Sequence, residues 1–507
     1  IGSDPRVRGD RADTPPAFPL EHPSSAPTGI PMSRSSDDRR SGTDLDRREL
    51  LKLGALGVGG AALGGLAGCE PADGGGGAAP DAPPSPAPPS GMSASAPADP
   101  FRTPPMERVR IGFVGVGLQG GAHVRNFLRI DGVDIVALCD VDVPRMEEVA
   151  SWVEDDGRPR PTLYGQGEED FVRLCETEDL DLVFTATPWR WHVPVCVAAM
   201  ENGKHAATEV PAAYTLEDCW RLVEVAEAQS KHCVMMENCN YDRPEMMVFN
   251  IVKQGLLGEL LHAECGYLHD LRGIKFSDAN EGLWRRDHSR ERNGNLYPTH
   301  GLGPIANCMD INRGDRFDYL VSMSSPSRGL QDFAQANFPE GDPKRDERFV
   351  LGDVNASLIK TARGRTIYVV HDTNLPRPYS RIHMVQGSRG LFQGYPNRLH
   401  IEGRSPSHRW ENYADVLAEF DHPLWKDLDE MSQGAGHGGM DFIEDYRLIK
   451  CLREGLPLDM NVYDAAALSA VGPLSEWSVA NGSRPVEIPD FTRGRWESWP
   501  AWDIVRA

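Results

Sequence analysis

Between residues 108 and 140 an apolar run, three spaced glycines, a helix-like stretch, a second apolar run and an acid follow one another in fixed register. Few patterns narrow a fold so far. Residues 108–114 are β-branched and apolar, and they lead straight into Gly115-Val116-Gly117-Leu118-Gln119-Gly120. In such a G-x-G-x-x-G turn, Gly115 permits the tight bend, Gly117 lets a pyrophosphate approach the backbone, and Gly120 lets the next helix pack closely. A helix over about 121–129 would aim its N-terminal amides at the phosphates, with Leu118 and Gln119 at its mouth. Residues 133–140 read as a second buried strand ending in Asp140, where a carboxylate takes ribose hydroxyls and repels a 2′-phosphate. The register predicts a Rossmann unit that binds NAD rather than NADP.

The alternation continues, with strands at 180–186, 205–209 and 233–237 and helices at 193–201 and 216–229. That is a doubly wound parallel sheet of about six strands, whose ligand sits at the strand carboxyl ends. The strand-end segments 187–192, 209–211 and 237–241 should therefore face the cofactor. After Tyr241 the pattern changes. A helix over 244–254, longer alternating strands at 355–361, 366–371 and 381–386, and helices at 441–454 and 463–481 predict an α+β domain with a mostly antiparallel sheet. The fold class is thus α/β, with a Rossmann domain over 107–241 and an α+β domain over 242–507.

Ahead of these lie two segments of another kind. Arg47 and Arg48 precede an apolar run over 53–67 that ends in Leu66-Ala67-Gly68-Cys69. The run is too short and glycine-rich for a stable membrane span. It resembles a twin-arginine export signal closed by a lipobox, so 1–69 reads as disordered leader plus signal, with Met32 as the start. Cys69 would be the lipid-anchored N-terminus of a periplasmic or cell-surface lipoprotein. Residues 70–106, rich in proline and glycine, read as a linker. A net charge of −22 argues against nucleic acid as partner. The ten cysteines show no C-x-x-C pair, and Cys139, Cys175, Cys196, Cys219 and Cys233 fall in apolar strand or helix patterns. They read as buried thiols rather than a disulfide framework. His437 and Asp441 lack a third ligand, so no metal is expected. A homo-oligomer is compatible with the sequence.

The order G-x-G-x-x-G, Asp140, Glu209-Val210-Pro211 and Gly258-Glu259-Leu260 resembles the Gfo/Idh/MocA oxidoreductases. Within that superfamily the chain is most similar to glycoside hydrolase family 109, the NAD-dependent α-N-acetylgalactosaminidases. Four stretches carry the likeness: Trp189-Arg190-Trp191-His192, Glu237-Asn238-Cys239-Asn240-Tyr241, 294–304 and Arg377-Pro378-Tyr379-Ser380-Arg381. Dehydrogenases of the superfamily carry a proton-moving lysine where this chain has Val210. Acid–base work must then come from elsewhere. The polar stretch 323–349 looks inserted or variable.

An ordinary glycosidase uses two carboxylates flanking the bond, and no persuasive pair stands out here. The resemblance implies another route: oxidation at the sugar C3 by bound NAD, loss of the C2 proton, elimination of the anomeric group, addition of water and return of the electrons. It also implies site roles. Tyr297, His300 and Tyr379 would be catalytic, with Tyr241 nearby; His300 would assist at C3 and a tyrosine at C2, which one being open. Tyr267, Arg285, Pro298 and Thr299, together with Tyr297, His300 and Tyr379, would touch the glycan or glycoside substrate. Trp189, His192, Glu209, Val210 and Asn238 would lie on the cofactor side. Two rival readings remain: a conventional NAD-dependent sugar or polyol dehydrogenase, and a non-catalytic sugar-binding lipoprotein.

Overall fold

A computed structural model describes residues 82–97 and 101–503. The expected signal, the lipobox with Cys69 and the Met32 start lie outside the described residues.

The first sheet is all parallel, in the order β3-β2-β1-β4-β5-β6. Its strands are β1 (Val109–Val114), β2 (Val133–Cys139), β3 (Thr162–Tyr164), β4 (Leu182–Thr185), β5 (His205–Thr208) and β6 (Cys233–Met235). Every residue of β4, β5 and β6 is buried, as a sheet covered by helices on both faces demands. From β1 the chain winds outward through β2 and β3, then returns to lay β4 on the other side of β1. The crevice at that switch point is where such sheets bind ligands. The crossover helices start where their caps dictate. Asp142 accepts from Arg145 N ahead of Val143–Asp155, and Thr215 accepts from Asp218 N ahead of Leu216–Gln229.

The second sheet has eight strands in the order β13-β12-β11-β7-β10-β9-β8-β14. They are β7 (Leu260–Leu268), β8 (Phe317–Ser324), β9 (Asn355–Thr361), β10 (Thr366–Asp372), β11 (Met384–Gly387), β12 (Gly390–Gln393), β13 (Arg398–Ile401) and β14 (Val486–Glu487). All pairings are antiparallel except β7 with β10, whose register sets Tyr267 beside His371. That one parallel pair brings the ends of β7 and β10 to the same edge.

Four observations extend or correct these expectations. Across the domain boundary after Tyr241, the C-terminal helices return to pack on the Rossmann unit. Asp445, on the helix Met440–Glu454, bonds His123 and Asn126 of the first Rossmann helix at 2.8 and 2.9 Å. The segment read as linker does not hang free over its described part. Phe101 is buried against Tyr463, and Trp477 Nε1 donates to the Ala82 carbonyl. Stretch 323–349 carries structure of its own: β8 runs into it, and Leu330 and Ala334 of the helix Gly329–Asn337 pack with Phe276 in a small separate core. The strand expected over 381–386 begins only at Met384, because Arg381 is turned back to pair with Glu245 and Asp242. All nine described cysteines are free and buried, among them the five whose apolar settings predicted it.

Candidate active site

The glycine turn meets its three demands in three different ways. Gly115 sits at φ +82°, and a β-carbon there would lie 2.8 Å from the Ala186 backbone. At Gly120 a β-carbon would come within 2.0 Å of the Gly115 carbonyl oxygen, so the helix Leu118–Leu128 can approach only without a side chain. Gly117 meets nothing within 4 Å. Its missing side chain leaves open space at the helix N-terminus, which is the cradle a pyrophosphate fills. Leu118 is exposed at the mouth of the turn, and Gln119 Nε2 lies 3.3 Å from His123 Nε2. Asp140 accepts from Val116 N at 2.7 Å and from Asp142 N at 2.9 Å, so it stands at the end of β2 and pins the turn. Arg145 is turned onto the carbonyls of Val116 and Gly117 and pairs with Glu148.

Below this cradle runs a buried ionic chain that sequence reasoning missed. His123, wholly buried, carries Glu209 on Nε2 and Asp445 on Nδ1, both at 2.8 Å. Burial works against charge here. The two carboxylates nevertheless raise His123 well above its ordinary value, and His123 in turn holds Glu209 below the usual carboxylate range. Glu209 also accepts from Val210 N at 3.1 Å, and Val210 itself is buried. Asn238 donates to Asp441 at 2.7 Å, and His437 bonds the other oxygen of Asp441. A histidine on the buried face of the first helix was the available signal. His192, expected on the cofactor side, is buried. Its ring nitrogens are both taken, at 2.8 Å, by the carbonyls of Pro211 and Thr187, so its side chain braces two strand-end turns.

The opposite wall is aromatic. Tyr297 lies 4.7 Å from Tyr267, 4.9 Å from His300 and 5.7 Å from Trp189, ring centre to ring centre. Arg285, held by Glu281 at 2.8 Å, spreads its guanidinium over Trp189, Trp284 and Tyr297. Tyr267 shares a hydrogen bond with His269 at 3.0 Å, and His269 meets the Tyr379 ring edge-on at 5.0 Å. Arg381 donates to the Tyr379 hydroxyl at 3.0 Å. Burial pushes all three tyrosines, 267, 297 and 379, above the usual phenol value. Pro298 caps the helix Thr299–Cys308, and the buried Thr299 hydroxyl has no hydrogen-bond partner among the described residues. Two glycines seat that helix. A β-carbon on Gly301 would lie 2.5 Å from Gly266 N, and one on Gly303 would lie 2.7 Å from the Glu237 side chain.

That seating delivers His300 to Glu237, its Nδ1 at 2.6 Å from Oε1. Glu237 ends the sixth parallel-strand segment, so the strand-end rule located it without assigning its role. Glu237, Cys239 and His300 set three ligand-type atoms within 4.8 Å of one another. Two of these atoms already bond each other, and burial pushes the Cys239 thiol well above its ordinary value. The trio therefore holds a proton better than a metal. Tyr241 does not join the tyrosine group: its hydroxyl donates to Asp459 at 3.0 Å, and its ring packs with the small core of Trp425 and Leu428. Lys275, also missed, is buried with Nζ on Thr373 and Asn374 at 2.8 and 2.7 Å; burial, helped by Arg285, pushes its amine down to about 7.

Comparison with known proteins agrees with this geometry. Residues 109–237 match the model described as "Oxidoreductase family, NAD-binding Rossmann fold". Residues 241–498 match "Glycosyl hydrolase 109, C-terminal domain". A glycosyl hydrolase family 109 protein of Shewanella pealeana is 48% identical over 79% of this chain and 89% of its own length. One from Solibacter usitatus is 46% identical over 89% of this chain and 98% of its own. Among solved structures, scyllo-inositol dehydrogenase from Lactobacillus casei, with NAD(H) and scyllo-inositol bound, shares the fold. It superposes with a TM-score of 0.54 at 14% identity, over 75% of this chain and 99% of its own. At that identity only the fold is shared; the two relatives, at nearly half identity over most of the chain, place it more narrowly. This chain belongs to glycosyl hydrolase family 109.

Proposed function

We propose that the protein is a glycosidase that removes terminal α-N-acetylgalactosamine or a related hexosaminide by transient oxidation at the sugar C3, elimination and addition of water. The observation that carries this reading is the pairing of two features. A dinucleotide cradle stands with Val210 where a dehydrogenase lysine would move protons, and a separate His300–Glu237 proton pair faces a ring of tyrosines. When bound, NAD supplies reversible two-electron oxidation of the sugar, which makes the C2 proton acidic. Gly117 leaves room for its pyrophosphate and Asp140 takes the ribose. The donors of Arg145 are engaged by carbonyls and Glu148, which supports NAD over its 2′-phosphorylated form.

The chain's own residues supply the rest. Glu237 fixes the His300 tautomer, leaving Nε2 to take the C3 hydroxyl proton. Tyr297 or Tyr379 takes the proton from C2 as its phenolate, which Arg285 beside Tyr297 and Arg381 beside Tyr379 favour against the effect of burial. Arg285, Tyr267 and Thr299 hold the sugar, while Trp189 and Tyr297 wall it from water. Hydrolysis of an N-acetylgalactosaminide in heavy water should place deuterium at C2 of the released sugar, with no build-up of NADH absorbance. If the C2 base is fully shielded, a primary isotope effect with C2-deuterated substrate takes the place of exchange. Build-up of NADH without aglycone release would mark a dehydrogenase. Aglycone release with neither exchange nor isotope effect would rule the route out. The reading of 1–69 as a twin-arginine lipoprotein signal predicts that Cys69→Ser abolishes membrane fractionation. A wild-type chain found unacylated and soluble would overturn it.

A further inference from the structure

Behind Glu237 lie two cavities that the sugar chemistry above does not use. One is lined by Glu237, Asn240, Tyr241, Glu444 and Asp459 among others. The second shares Asn240, Tyr241 and Asp459 as walls and reaches Glu245, Trp502 and Asp503. Asp503 is exposed, so this second cavity meets the surface.

The walls are polar in a particular way. Glu237 Oε2, Asn240 Oδ1, Glu245 Oε2 and Glu444 Oε2 are all buried oxygens with no hydrogen-bond partner among the described residues. The opposite oxygens of two of them are engaged: Glu237 Oε1 by His300, and Glu245 Oε1 by Arg381 at 2.8 Å. A buried oxygen left unpaired is costly, and four lining or flanking two cavities that share walls would be a heavy penalty for a fold to carry. Water removes that penalty where a cavity is polar and has room for it, each molecule finding two to four partners, and these two cavities have room for a few. A cation cage fits less well. Among the described residues only Glu237, Cys239 and His300 bring three metal-ligand atoms within 4.8 Å of one another, so the other oxygens are spread along the space rather than gathered. Tyr241 and Asp459, bonded to each other, and Arg447, paired with Asp459 at 2.7 Å, complete the charged lining.

We infer that the two cavities form one water-filled proton path, with Asn240 at its junction, that links the Glu237–His300 pair to solvent beside Trp502 and Asp503. It rests on the reading of His300 as the group that takes the sugar hydroxyl proton. The transfer balances as a relay. The hydroxyl proton passes to His300 Nε2, the Nδ1 proton to the Glu237 carboxylate, and the carboxyl proton to water in the path, which restores the carboxylate. The return of electrons to the sugar reverses each transfer. Such a path is needed because the front of the site is walled by stacked rings, with Tyr297 packed between Tyr267 and Trp189. A bound sugar would close it to bulk water.

Asn240→Leu keeps the volume of the junction and removes its polar group. It should lower kcat at least about 10-fold, the low end for impaired proton transfer. NAD content and KM should stay unchanged, and the solvent deuterium isotope effect should increase. Asn240→Ser, small and polar, should restore both. A high-resolution crystal structure of the whole protein should show ordered water bridging Glu237 Oε2 and Asn240, absent in Asn240→Leu. A dry cavity, or an Asn240→Leu enzyme with unchanged kcat and isotope effect, would overturn the path. A protein that releases no aglycone breaks the glycosidase reading instead, and the water between Glu237 and Asn240 is still read directly from the crystal.

Discussion

On the nucleotide wall His123 carries a carboxylate on each ring nitrogen, and the contacts are hydrogen bonds to buried carboxylates or to backbone. On the wall proposed to face the sugar, Tyr267, Tyr297, Trp189 and Arg285 are held ring against ring and cation over ring. The difference follows from what each wall must recognise. A dinucleotide presents fixed charge and ribose hydroxyls, so oriented amides and a held carboxylate suffice. A sugar presents apolar C–H faces between hydroxyls, so flat rings with a few polar tips fit it better. In the proposed reading, proton chemistry belongs to the aromatic wall. There His300 and the tyrosines have polar atoms to offer, while His123 on the ionic wall has both nitrogens engaged.

The sharpest test of that division is on the aromatic wall. Tyr297→Phe, His300→Ala and Tyr379→Phe should each lower kcat by about 100-fold or more, the scale for a lost general acid or base. NAD released on denaturation should stay stoichiometric. Tyr241→Phe, whose hydroxyl points to Asp459, should stay within about threefold of wild type by the same scale. A large loss in Tyr241→Phe with near-normal Tyr297→Phe would invert the assignment.

The ionic wall should respond in stability and cofactor retention more than in chemistry. His123→Ala leaves two buried carboxylates without their shared cation, a loss of about 3 kcal/mol or more. Its pH dependence has a definite sign. His123 is raised above its ordinary 6.5, so its contribution is complete below that pH and fades as pH climbs through the raised value. Denaturant melts of wild type and His123→Ala should therefore converge at alkaline pH. Curves that stay parallel would show that His123 is not a charged partner.

The smallest effect separates two glycines of one motif. Gly117→Ala meets open space and should leave the melting temperature within about 2 °C, the shift expected from a few tenths of a kcal/mol. It should still weaken NAD binding. Gly120→Ala drives a β-carbon against the Gly115 carbonyl and should cost about 1–3 kcal/mol, as overpacking does. Equal effects on stability would mean that the space at Gly117 is not a cradle.

The sequence alone determined the Rossmann half and the class of the second half. Strand, glycine turn, helix and acid lie within some thirty residues, and their spacing is set by local backbone geometry, so the pattern survives being read in one dimension. Helix Leu216–Gln229 and strand Asn355–Thr361 have the limits their apolar periods predicted. Local patterns could also nominate Tyr297, His300 and Tyr379 through motif likeness. Only the tertiary structure could decide the partners. His123 meets Asp445 across 322 positions, Tyr241 meets Asp459 across 218, and His300 meets Glu237 across 63. Such pairings depend on how whole elements dock. The helix Met440–Glu454 returns to the first sheet, and Gly301 and Gly303 let Thr299–Cys308 settle onto β7 and the Glu237 turn. Buried polar groups must find partners wherever packing brings them, and no local spacing records which segment that will be.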